Sequence, residues 1–351
     1  MFEIIRCVIL WTFSIVFSSV AILRLLVLHL SKFKSAPWKP KERTVAPALL
    51  SDPKYGQHKF ATVNGIRMHY VEAGDKSKPL MVFVHGFPEF WYSWRNQITE
   101  FSKDYWTVAI DMRGYNLSER PVGLQNYSFQ YMVDDLRGLI EYLNRKKFIL
   151  VAHDWGSLIS WEFTSQNKHM VYKYAMMGAP SRRVFKKTFN SSMDQFKRSW
   201  YMSLFQMPFL PELSMMSDDF GLFNIIWEDQ LGDSFTEEDL EAYKYTFSRP
   251  GALTAAINYY RANFGTRGNE LQSSSKNRLD GSDGMYVLGE LEQYISKNTL
   301  ELTAKEYPKI RIEVVPGANH FLQHHTPQAV NDLLRDFLGS AAHDCPIEPL
   351  I

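Results

Sequence analysis

The sequence predicts an α/β fold: a mostly parallel central sheet flanked by helices, with a helical insertion and one N-terminal membrane-spanning helix. Three observations predict it. From residue 80 to 180, short β-branched runs alternate with stretches of helical period. The strand signal then stops from Ser181 to about Gly265, and residues 7 to 23 carry no charge. Repeated βα units favour parallel pairing, because parallel neighbours need a long right-handed crossover and a helix packs that crossover onto the sheet.

In chain order, the uncharged run CVILWTFSIVFSSVAIL (7 to 23) extends through LLVLHL (25 to 30). As a helix it is long enough to cross about 30 Å of hydrocarbon. Arg24 is expected near one boundary, its guanidinium reaching the headgroups. A cleaved signal peptide processed near Ser19 or Ala21 competes with this reading, but the apolar run continues past both. Arg6 precedes the span, whereas Arg24, Lys32, Lys34, Lys39, Lys41 and Arg43 lie in or after it. Basic flanks stay in the cytosol, so the expected product is a single-pass membrane protein of the endoplasmic reticulum whose C-terminal bulk faces the cytosol. Sequons at Asn116, Asn126 and Asn190 are as frequent as chance allows and do not oppose this orientation. The expected organisation is an anchor helix at 5–31, a linker at 32–56, a folded domain at 57–340 with its insertion at about 181–265, and a tail at 341–351.

Within the domain, Lys59 to Asn64 and Ile66 to Glu72 flank Gly65 and read as a hairpin. Strands are expected at 80–86, 106–112, 148–154, 172–180, 285–289 and 312–317, each a β-branched or aromatic run. Helices are expected at 93–101, 131–146, 155–166 and 327–337. The insertion is aromatic, Met-rich and mostly helical, and the polar stretch 268–284 reads as a loop.

Charge and cysteine content narrow the function. Thirty-nine basic residues against 38 acidic ones leave a net charge of +1, which supplies no general attraction for nucleic acid, so nucleic acid is excluded as a partner. Cys7 and Cys345 stand at opposite ends of the chain and can build neither a disulfide framework nor a cysteine-rich zinc cluster.

The most informative residues are Ala152-His153-Asp154-Trp155-Gly156-Ser157, where a buried strand turns straight into a helix. Small residues at 152, 156 and 157 permit a tight turn that lifts residue 154 above the sheet, near the positive end of the helix. The residue there is Asp. A carboxylate needs no base to become a nucleophile and can displace at saturated carbon, forming an ester that water then cleaves. The bland alternative is an Asp that caps the helix beginning at Trp155. His85-Gly86-Phe87-Pro88 ends an earlier strand and can set the Phe87 amide beside the Trp155 amide, two donors aimed at an oxyanion. Glu292 follows strand 285–289 and His320 follows strand 312–317, at the carboxyl edge where open α/β sheets place their sites. Glu290 competes with Glu292 as the acid. His324 and His325 compete with His320, but they lie further into the loop and are read as surface residues.

The runs HGFPEFWYSWR (85–95), DMRGYNLSERP (111–121), VAHDWG (151–156) and GANHFLQHHTP (317–327) together resemble the epoxide hydrolases of the α/β-hydrolase superfamily over about residues 55 to 340. With the N-terminal span, the chain is similar to the membrane-anchored animal group containing epoxide hydrolases 3 and 4. The resemblance implies Asp154 as nucleophile, His320 as general base and Glu292 as the acid that orients it. It implies two lid tyrosines that hold the epoxide oxygen, Tyr201 from WYMSLFQMP (200–208) and Tyr260 from INYYR (257–261). Phenols can donate to a developing alkoxide in a water-poor pocket, and neighbouring helix positions point about 100° apart, so only one of Tyr259 and Tyr260 is expected to face the cavity. Ala152, Asn116 and Glu292 depart from the usual Gly, Gly and Asp of the family pattern without removing a role.

The implied reaction converts epoxides to vicinal diols and calls for no metal and no organic cofactor. Its partners are a small apolar epoxide, water and the bilayer, with epoxides of fatty acids the expected substrates. A haloalkane dehalogenase also uses Asp before Trp, but it needs further halide donors and here Phe87 stands where Asn often serves. A serine esterase is disfavoured by the Asp at 154, and a non-catalytic binding protein by the intact Asp, His and acid.

Overall fold

The computed structural model describes residues 2–31, 38–231, 235–264, 279–339 and 345–350. Most of the polar stretch 268–284, the start of the linker, with Lys32 and Lys34, and the start of the tail therefore lie outside the described residues. The chain opens with α1 (Phe2–Ser31) and a hairpin, β1 (Gln57–Val63) and β2 (Ile66–Ala73). Asn64 and Gly65 turn it with φ of 46° and 76°, the left-handed pair that matches strand twist in a two-residue loop.

Four strands separated by helices follow: β3 (Leu80–Val84), α2 (Arg95–Phe101), β4 (Trp106–Ile110), α3 (Phe129–Tyr142), β5 (Phe148–His153), α4 (Trp155–Gln166) and β6 (Val171–Met177). The insertion comprises α5 (Arg182–Ser191), α6 (Met193–Arg198), α7 (Trp200–Leu204), α8 (Leu210–Leu231), α9 (Glu237–Ser248) and α10 (Ala252–Phe264). The sheet resumes with β7 (Gly284–Gly289), α11 (Asn298–Glu306) and β8 (Arg311–Val315), and the chain closes through α12 (Leu322–His325) and α13 (Pro327–Leu338). Among the described residues the strands form one eight-stranded sheet, ordered β1-β2-β4-β3-β5-β6-β7-β8. Only the β1–β2 and β2–β4 pairs are antiparallel.

Every residue of β3, β4 and β5 is buried, as continuous apolar strands must be when helices cover both faces. On α3 the buried positions Met132, Val133, Leu136, Leu139 and Ile140 recur at helical spacing, so that face packs on the sheet. At the start of α9, Thr236 and Asp239 cap one another reciprocally. Periodicity did not mark α11, because its fully buried positions are the polar Thr299 and Thr303. Sequence patterning extended β3 and β6 past their observed ends, since the residues that follow form the site rather than the ladder.

Among the described residues no helix is long and apolar enough to cross a membrane, and several side chains of the run 7–23 lie outside the described residues. The helix backbone of α1 nevertheless continues for 30 residues. One face packs on α7 and α8, with Ser18 and Ala21 buried and Leu25 and His29 half-buried. Arg24 stands beside this packed face. Its Nη2 and the Asp218 Oδ2 lie 3.7 Å and 3.5 Å from the point where a Cβ on Gly221 would stand. The guanidinium thus lies near the insertion, in the neighbourhood of the Asp218 carboxylate.

Candidate active site

Asp154 occupies the turn between β5 and α4 with φ 50° and ψ −117°. A non-glycine residue in this region costs on the order of 1–3 kcal/mol, and it persists only where surrounding structure fixes it. Gly86 and Gly156 do so by close approach: a Cβ on Gly86 would stand 2.5 Å from the Asp154 Cβ, and one on Gly156 would stand 2.3 Å from the Val84 carbonyl oxygen. Asp154 occupies the N-cap position of α4, but its side chain accepts no capping hydrogen bond from that helix. Its Oδ1 instead accepts from the Phe87 backbone N–H at 2.8 Å, and its Oδ2 faces His320 Nε2 at 3.6 Å.

His320 Nδ1 lies 2.8 Å and 3.0 Å from the two carboxylate oxygens of Glu292. Glu292 Oε1 also accepts from the backbone N–H groups of Tyr294 and Ile295, which fixes the carboxylate despite its longer side chain. The other candidate, Glu290, accepts instead from the Gly317 N–H at an exposed site. Burial alone would strip His320 of its proton, but Glu292 and Asp154 outweigh it and hold the imidazole pKa up at about 10.

Asp154 and His320 open into a cavity of about 250 Å³, whose far wall includes Tyr201, Leu204, Met215 and Tyr260. Tyr201 and Tyr260 stand edge to face with ring centroids 5.8 Å apart, and Tyr260 meets the rings of Trp155 and Phe87 at 5.0 Å and 5.3 Å. Burial pushes both phenols well above their usual range, so they remain protonated donors across ordinary pH. Tyr259 turns the other way and donates to the Arg113 carbonyl at 2.8 Å.

Two parts of the arrangement were not anticipated. The first is Glu89, the last residue of HGFPE: buried and charged, it accepts from the Gly86 N–H at 2.8 Å and from Gln323 at 2.6 Å, and it meets His153 Nδ1 at 2.7 Å. The His153 Nε2 in turn meets the His320 carbonyl at 2.8 Å, so one carboxylate ties together the oxyanion turn, the elbow and the histidine loop. The second is His324, expected at the surface and found fully buried between Arg95 at 2.7 Å and the Tyr243 hydroxyl at 3.0 Å. These partners come from α2 and α9, far away in sequence, which is why the loop position gave no hint of burial. Burial also pushes His324 down to about 4, in contrast to His320. His325 is half-buried.

Residues 79–327 match the alpha/beta hydrolase fold family. Human epoxide hydrolase 4 is 35% identical over 331 residues, covering 92% of this chain and 89% of the relative. Epoxide hydrolase 3 of Xenopus tropicalis is 37% identical over 315 residues, covering 86% and 82%. Among solved structures, a Bacillus megaterium epoxide hydrolase in complex with an inhibitor superimposes with a TM-score of 0.72 at 31% identity, covering 80% of this chain and 99% of that one.

Proposed function

The chain belongs to the α/β-hydrolase family, among its epoxide hydrolases, and from that premise we propose that it converts apolar lipid epoxides, fatty-acid epoxides foremost, to vicinal diols through an ester on Asp154. The observation that carries this reading is a carboxylate at the strained turn, facing two protonated phenols across a cavity lined by apolar side chains.

Asp154 Oδ2 attacks a ring carbon, the carbon–oxygen bond breaks, and Tyr201 or Tyr260 gives its proton to the departing oxygen. The ester has no charge on residue 154, so His320 loses one of the two carboxylates that hold its proton. That proton restores the phenol, and the neutral imidazole then takes one from water as the water attacks Cγ of the ester. Charge gathers on Oδ1, which the Phe87 N–H already meets and for which the Trp155 N–H is the second donor in this reading. Collapse expels the second alkoxide, which takes the proton from His320, and the carboxylic acid left at Asp154 passes its proton to the imidazole, restoring the resting pair. Glu292 keeps the ring oriented throughout.

We read α1 as a single-pass anchor of the endoplasmic reticulum with the domain on the cytosolic side. The uncharged run 7–23, a 30-residue helix of about 45 Å and the basic residues after it support this reading. In sealed microsomes, added protease is expected to digest the domain; full protection, or glycan addition at Asn190, would overturn the orientation.

The activity is tested in the same microsomes with an alkyl epoxide and mass-spectrometric detection of the diol. Asp154→Ala is expected to lower the rate by about four orders of magnitude or more. A wild-type chain that forms no diol, or a variant that keeps its rate, would contradict the proposal.

A further inference from the structure

Most cavity-lining residues are buried or half-buried, but Trp200 on α7 and Ile225 on α8 reach the surface, 47% and 55% exposed. They mark the mouth. The same two helices carry α1, whose packed face (Ser18, Ala21, Leu25, His29) lies against them. The opposite face of α1 presents Val20, Leu23, Val27 and Leu30 to the outside, each more than half exposed. Phe209, between α7 and α8, is 85% exposed, has φ 60° and makes no ring contact among the described residues. A large apolar side chain on left-handed backbone costs strain and exposure alike, and water repays neither.

Helix length fixes where this surface lies. Residues 2 to 17 of α1 precede the packed segment and rise about 24 Å, short of the roughly 30 Å of hydrocarbon. A spanning α1 therefore brings its packed segment, and with it α7 and α8, to the bilayer boundary. The charges agree: Lys39 and Lys41 follow the helix and Lys197 precedes Trp200, all exposed and suited to anionic headgroups.

We propose that the cavity mouth at Trp200 and Ile225 rests on the bilayer surface, so that the epoxide enters laterally from lipid and not from water. This rests on the anchor reading above. The partner is the membrane itself, with Phe209 inserted at the interface beside the mouth.

The test uses the full chain with Cys7→Ser, reconstituted in vesicles of phosphatidylcholine and phosphatidylserine. An environment-sensitive fluorophore is attached at Phe209→Cys or, for comparison, at Val122→Cys, a position 92% exposed in a loop of the sheet domain. Nitroxide-labelled lipid is expected to quench the probe at 209 and leave the probe at 122 unchanged. Equal behaviour of the two probes in protein that floats with the vesicles would overturn the proposal while sparing the anchor. Protein that fails to float would overturn both.

A second arm measures function. Phe209→Asp is expected to lower kcat/KM about tenfold for a long-chain epoxide dissolved in the vesicles, and to leave a short water-soluble epoxide unaffected. Equal loss on both substrates, or on neither, would contradict lateral entry. Failure of the wild type on the water-soluble substrate would count against the hydrolase reading instead.

Discussion

His320→Gln is expected to abolish sustained turnover, by about four orders of magnitude or more, while still permitting the first half of the reaction. The geometry separates the two halves: Asp154 needs no base to attack, whereas cleavage of its ester needs an imidazole that can take a proton from water. The variant should therefore gain the mass of one epoxide per chain within minutes of mixing, as read by intact-protein mass spectrometry. The same assay on the wild type gives the pH dependence. In the resting enzyme Glu292 and Asp154 hold the imidazole pKa up at about 10 against the effect of burial. In the ester only Glu292 remains charged, so the pKa falls and the neutral form appears at lower pH. Breakdown of the wild-type ester should thus accelerate as pH rises and level off below pH 10. An unmodified His320→Gln protein, or ester breakdown that slows with rising pH, would remove His320 from its role as base.

The second large effect is expected at the other wall of the cavity. Tyr201→Phe combined with Tyr260→Phe should slow ester formation by about three orders of magnitude, since removal of a single preorganised donor typically costs a hundredfold to a thousandfold. Either single change should cost less than the pair, because the remaining phenol can still serve the oxygen. The aromatic wall built from Phe87, Trp155 and Phe205 remains in place, so the variant should keep its thermal stability near that of the wild type. Alkylation at the wild-type rate, followed by mass after single mixing, would show that the phenols do not serve the oxygen.

Much of the framework was legible in the sequence because its signals are local. The run Ala152 to Ser157 announces a strand that turns directly into a helix, and Asn64-Gly65 announces a two-residue hairpin. Order along the chain was enough to bring Asp154, Glu292 and His320 to one edge of the sheet. What could not be read depends on partners distant in sequence. Glu290 and Glu292 are indistinguishable as letters two residues apart, yet one reaches the Gly317 amide and the other His320. His324 is buried because Arg95 and Tyr243 converge on it, and Glu89 stays ionised in the core because His153 and His324 face it. Likewise the nearness of Arg24 to Asp218 and Gly221 depends on residues far along the chain.

In the proposed mechanism a carboxylate oxygen of Asp154 becomes an oxygen of the diol. A single turnover in oxygen-18 water, with enzyme in excess over epoxide, tests it most directly. An unlabelled diol and one oxygen-18 atom in the peptide containing Asp154 are expected, because the water oxygen enters the carboxylate when the ester is cleaved. A diol carrying the label, with Asp154 unlabelled, would mean that water attacks the epoxide itself and would remove Asp154 as nucleophile.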